Sequence, residues 1–207
     1  GEKVMETLST NKITGAALGY LKETLTDSNL LNRTKKITVE KRDAGIAWGA
    51  VYAQYSENID KVTRHGKELQ VEKKLYVERI TNNNEKQLHP VTSGTILAVG
   101  DKVVSRITIR LDRPMDFVQL KDRYGACLEP VETLSGYRWS NGMGYYAAVK
   151  DASVNFFFDS LNKGVSVLEF AYRVSRTGIY QAGLAMIQPA YAPEYAAHSE
   201  GMRIEVK

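Results

Sequence analysis

The side chains able to do chemistry are few and scattered. The three histidines, His65, His89 and His198, are far apart and have no Cys or His at ligand spacing, whereas a zinc site needs several nitrogen or sulfur ligands that converge. Cys127 is the only cysteine, which excludes an internal disulfide and a multi-cysteine metal site. Its Ala126-Cys127-Leu128 surroundings read as a small buried hydrophobe rather than a thiolate nucleophile. Serine, histidine and aspartate are all present, but no Gly-x-Ser-x-Gly elbow fixes a nucleophile. The carboxylate pairs Glu129/Glu132 and Asp151/Asp159 read as solvated faces, because nothing sets two of them across a cleft. No catalytic residue, metal ligand or cofactor is assigned, and the chain is expected not to be an enzyme.

Recognition chemistry remains, in two segments. The stretch GYRWSNGMGYY, residues 136–146, could present Trp139, Tyr145 and Tyr146 as a stacking platform, the device of a carbohydrate-binding module. The plainer reading is a β-hairpin turning at Asn141-Gly142, its aromatics paired across the strands. The terminal loop YAPEYAAHSEG, residues 191–201, follows Pro189 and contains Pro193, and each proline fixes its own φ and restricts its predecessor. A loop of fixed shape suits a contact with another domain or a partner through Tyr191, Pro193, Glu194 and Tyr195; packing of the loop on its own domain is the alternative. Phe156, Phe157 and Phe158 cannot all face one core, so a neighbour is expected to cover at least one.

The elements that must carry these segments read as strands. Leu69, Val71, Leu75 and Val77 share one face of a run ending at Ile80. Val103, Ile107, Ile109 and Leu111 point opposite to Arg106, Thr108 and Arg110, and Leu168, Phe170, Tyr172 and Val174 opposite to Glu169 and Arg173. This period of two is that of half-buried antiparallel strands. An apolar run over 179–187 and a short strand over 202–206 close the chain, and Asn141-Gly142, residues 162–164 and residues 99–102 supply turns. Helical periodicity is weak, with short stretches at 4–8 and 27–31. The fold class is therefore all-β, an antiparallel β-sandwich. The polar stretch 57–67 reads as a boundary. Residues 66–207 form the sandwich, and residues 1–62 hold only three or four strands (12–25, 37–43, 46–55), too few for a sandwich of their own.

Composition narrows the partners. The formal charge is +4 over 207 residues, but it is spread evenly along the chain, so the clustered Lys and Arg that nucleic-acid binding needs are missing. No stretch approaches the roughly 18 apolar residues of a membrane span, so no direct membrane insertion by this chain is expected.

Four blocks in order, GIAWGAVYAQY at 45–55, LKDRYGACLEPVETLSGYRW at 120–139, DASVNFFFDSLNKG at 151–164 and YAPEYAAHSEG at 191–201, resemble the C-terminal region of bacterial α2-macroglobulin-like proteins, those of the Bacteroidetes type in particular. The resemblance implies that 66–207 is the C-terminal macroglobulin-like sandwich, similar to the receptor-binding domain of animal relatives. It also implies that 1–62 are the returning strands of a partial CUB-like β-domain, completed by upstream sequence. The implied role is a non-catalytic module of a protease-trapping inhibitor in the periplasm or cell envelope. Its partners would be other domains of the same chain and, through the full-length protein, target proteases. The family's Cys-x-Glu-Gln thioester motif is absent from this sequence, and Cys127, in Ala-Cys-Leu-Glu-Pro, does not replace it.

Overall fold

Alternation of apolar and polar residues builds nearly everything seen. The computed structural model describes residues 44–46, 48–49, 52 and 56–207. The chain divides into two compact units, Gly1–Ala53 and Gln54–Lys207. The helical stretches expected at 4–8 and 27–31 and the strands expected at 12–25, 37–43 and most of 46–55 lie outside the described residues.

Fourteen strands occur among the described residues: β1 (Leu69–Ile80), β2 (Lys86–Pro90), β3 (Ile96–Leu97), β4 (Lys102–Leu111), β5 (Met115–Arg123), β6 (Leu128–Pro130), β7 (Gly136–Ser140), β8 (Met143–Lys150), β9 (Ser153–Leu161), β10 (Gly164–Val174), β11 (Gly178–Gln181), β12 (Ala185–Pro189), β13 (Ala197–His198) and β14 (Arg203–Val206). One sheet runs β2-β1-β4-β10-β6 and a second β13-β12-β5-β9-β8-β7, while β11-β14-β3 form a small third sheet. All pairings are antiparallel except β14 with β3.

The two large sheets enclose one core, and the apolar faces read from the sequence are the ones they bury. Leu69, Val71, Leu75 and Val77 of β1, Ile107 and Ile109 of β4, and Leu168, Phe170 and Tyr172 of β10 meet Val118 and Leu120 of β5 and Phe156 and Phe158 of β9. Phe157, between the last two, points outward and stays 43% exposed. The Asn141-Gly142 turn has positive φ at both residues, 50° and 75°, which matches the right-handed twist of a two-residue hairpin.

The single apolar run expected over 179–187 is two strands in two sheets. Gly183 breaks it at φ 77°, where an added Cβ would fall on the Arg123 carbonyl, so only glycine fits without strain. The stretch 57–67 also differs from a plain linker. Its residues form a 3-10 turn, Ile59–Lys61, and lie on the sandwich: Gly201 N–H donates to Val62 O at 2.9 Å, and His65 and His198 exchange backbone hydrogen bonds of 3.0 and 2.9 Å.

A charged corner makes this unit sensitive to acid. Asp101 accepts from the Arg79 guanidinium and from the Ala98 N–H at 2.9 Å. The arginine holds the Asp101 carboxyl below its ordinary range, and a hydrogen bond from Lys102 does the same for Glu78. A depressed folded pKa gives stability that is fully present above the unfolded carboxylate value of about 4 and is lost as pH falls through the folded value. Thermal unfolding followed from pH 7 downward should show a flat midpoint to about pH 5 and a steep fall below 4. Asp101→Asn should flatten part of that fall.

Candidate interaction surface

The two outer faces of the sandwich differ in chemistry. On the five-stranded sheet, charges pair across the strands. Arg106 of β4 donates to Glu169 of β10 at 2.5 Å and Lys102 to Glu78 of β1 at 3.0 Å, while within β1 Lys74 pairs with Glu72 at 2.9 Å. Arg106 also lies 4.6 Å from the centre of the Tyr76 ring. Such a face is content in water, since exposed pairs of this kind contribute little and need no partner.

The six-stranded sheet turns an aromatic cluster outward, with Lys121, Arg123, Lys150 and Asp159 at outward parity beside it. Tyr137 and Trp139 of the edge strand β7 are 83% and 76% exposed, and Phe117 of β5 and Met186 of β12 are also exposed. Tyr146 stands edge-on to Tyr137 at 5.1 Å and is opposite Phe157 in register. The Trp139 ring lies against Gly144, where an added Cβ would come within 3.0 Å of it, so one ring face rests on the sheet and the other is open. Aromatic residues and methionine without dense charge are what the desolvated centre of a protein interface uses.

The expected platform of Trp139, Tyr145 and Tyr146 does not form. Tyr145 pairs in register with Arg138, on the opposite side of the hairpin from Trp139 and Tyr146. It is buried against Phe156 and Phe158, at 5.7 and 5.8 Å. A two-residue turn fixes this: 137, 139, 144 and 146 share the outer face, while 143, 145 and 147 share the core. Tyr137 takes the place expected for Tyr145.

The terminal loop divides in two. Tyr191 is 83% exposed and meets Phe117 edge-on, centroids 5.5 Å apart at 90°. Pro193 and Glu194 are exposed in the 3-10 turn Pro193–Tyr195, and Glu194 borders a shallow depression lined by residues 65–68 and 194–196. Tyr195 instead packs partly buried on the core, its ring 5.8 Å from the Arg113 guanidinium carbon. The second half of the loop fastens residues 59–65: Ser199 is wholly buried and its Oγ accepts the Ala185 N–H at 3.1 Å, and Gly201 lies directly against the Ile59 backbone.

Sequence reasoning missed Phe117 and a buried ionic group. Phe117 has φ 52°, a left-handed conformation that costs a bulky residue about 1–2 kcal/mol. Inside the core, Lys73 Nζ meets Asp122 Oδ1 at 2.6 Å, with side chains 3% and 0% exposed. The ammonium also donates to the carbonyls of Arg123 at 2.6 Å and Ala182 at 3.2 Å. The Tyr172 hydroxyl donates to Asp122 Oδ2 at 2.9 Å; burial and the neighbouring carboxylate push its pKa well above the ordinary tyrosine value. The group ties β1 and β10 of one sheet to β5 of the other and so fixes the sheet carrying the aromatic face. Lys73 and Asp122 both stand at buried parity, between Val71 and Leu75 and after Leu120, which was the available signal.

Comparison with known proteins gives this geometry a family. The family described as "Bacterial Alpha-2-macroglobulin MG10 domain" matches residues 69–194. Among solved structures, Salmonella alpha-2-macroglobulin reacted with methylamine is similar over 70% of this chain and 10% of its own, at 16% identity and TM-score 0.54. Native alpha-2-macroglobulin from Escherichia coli, spanning domain MG7 to the C-terminus, is similar over 70% of this chain and 24% of its own, at 13% identity and TM-score 0.52. The Escherichia coli protein activated by porcine elastase gives 70% and 14%, at 14% identity and TM-score 0.54. At these identities the likeness is one of fold, and the chain spans at most about a quarter of the length of these relatives. No curated protein matches. With well over half of its residues matched by one domain family and its sandwich shared with these structures, the chain belongs to the bacterial alpha-2-macroglobulin MG10 domain family.

Proposed function

We propose that this domain is a non-catalytic docking module of a longer alpha-2-macroglobulin-like protein, and that the outer face of the six-stranded sheet packs, through Tyr191, on another domain of the same polypeptide. The asymmetry of the two outer faces carries this reading: one is laced with ion pairs, the other holds Tyr137, Trp139, Phe157, Phe117 and Tyr191 exposed among the described residues. The occupant is taken as a same-chain domain because the family is defined as one domain and its solved relatives are several times longer than this chain.

One of those relatives is described as activated by porcine elastase. Carried over to this chain, the longer protein would trap proteases in the cell envelope, and the domain would contribute shape and contact, not chemistry. In the same reading residues 1–62 are returning strands of a CUB-like domain.

Tyr191 and Tyr195 should separate docking from folding. Tyr191→Ala removes an exposed ring, so the melting midpoint of the 207-residue chain should stay within about 1 °C, a surface change of under 0.5 kcal/mol. In the full-length protein it should destabilise the arrangement of domains, read as faster limited proteolysis at interdomain segments. Tyr195→Ala removes core-packed surface and should lower the midpoint of both. Equal effects of Tyr191→Ala on the short chain and the full-length protein would sink the docking assignment.

A further inference from the structure

Phe117 is strained where the core gives no reason for it. At φ 52° it occupies a region that bulky residues avoid. The other non-glycine residues at positive φ among the described residues are Asn84 and Asn141, a type whose short polar side chain tolerates it. The Phe117 ring is 55% exposed, so burial does not hold it there. Pairing of β5 with β9 steps over the residue, from Asp116 opposite Ser160 to Val118 opposite Phe158. Its carbonyl accepts the Ala190 N–H at 2.9 Å, and its ring meets Tyr191 at a right angle. Glycine would fit this backbone without steric strain, yet an aromatic stands there.

Resting on the docking reading, we infer that Phe117 is a second anchor of that surface. Its left-handed backbone turns the ring out of the strand beside Tyr191, and the two perpendicular rings make a preformed wedge. The partner that fits is an apolar cleft on another domain of the same polypeptide, which the two rings would fill. Preformation lowers the ordering cost of binding and so spends local strain on affinity.

The test combines stability with a footprint. In the 207-residue chain Phe117→Gly should leave the melting midpoint within about 2 °C, because the relief of about 1–2 kcal/mol of backbone strain is offset by the added freedom of the unfolded chain and the lost contact with Tyr191. Hydroxyl-radical labelling of Met186, on the same sheet face, should be at least about fivefold lower in the full-length wild-type protein than in the short chain. Full-length Phe117→Gly should regain the short-chain labelling, and Phe117→Tyr should keep the protection. A midpoint lowered by more than about 4 °C in Phe117→Gly would make the residue structural and overturn the inference. So would wild-type protection of Met186 in that variant while Tyr191→Ala loses it. If Tyr191→Ala keeps the protection as well, or if Met186 is labelled equally in the wild-type long and short chains, the docking reading itself fails.

Discussion

Lys73→Met should destabilise the 207-residue chain by about 3–5 kcal/mol in urea unfolding, the cost of breaking a buried pair by removing one partner. The loss is of more than one contact. With the ammonium gone, Asp122, wholly buried, keeps only the Tyr172 hydroxyl, and the carbonyls of Arg123 and Ala182 lose their donor. Methionine fills similar space but donates nothing, so the remaining carboxylate faces a low dielectric unpaired. The double variant Lys73→Met/Asp122→Leu removes both charges and should recover most of the loss, since apolar replacement of a whole buried pair is often neutral or stabilising. If the double variant is as unstable as the single one, the shape of the group and not its charge holds the sheets.

Gly201→Ala should cost about 3 kcal/mol, at the upper end for overpacking, because a Cβ there would fall on the Ile59 carbonyl and backbone cannot swing aside as a side-chain end can. The strain is local and has an outlet: residues 59–65 can lift off. Lifting them breaks the Gly201–Val62 hydrogen bond, the His65–His198 bridge and the contact of Gln181 Nε2 with Asp60 at 3.0 Å. Amide exchange should therefore speed up at residue 201, His65 and His198 while β4 and β10 keep their protection. Uniform loss of protection would mean that residues 59–65 are integral to the core.

How much of this was legible follows from where the information sits. In β1, β4 and β10 the side chains themselves alternate, so strands and buried faces could be read directly. Parity also held the position of Tyr145, since a two-residue turn puts it in line with Met143 and Ala147, but counting aromatics in a cluster hides that alternation. Lys73 stood at a core position, and a charge there needed a partner some fifty residues away that no local pattern names. The fastening of residues 59–65 was out of reach for another reason: it is made chiefly of backbone hydrogen bonds and a glycine contact, which leave no mark on composition. Phe117 gave no sign either, because its identity is ordinary for a strand and only its φ is not.

The central claim is that the aromatic sheet face, with Tyr191 at its rim, is covered in the full-length protein. Hydroxyl-radical labelling of Tyr191, compared between the full-length protein and the 207-residue chain at equal dose, tests it most directly. At least tenfold less labelling of Tyr191 in the full-length protein, with Tyr76 on the opposite, ion-paired face labelled equally in both, is the predicted result. Equal labelling of Tyr191 in the two proteins would contradict it.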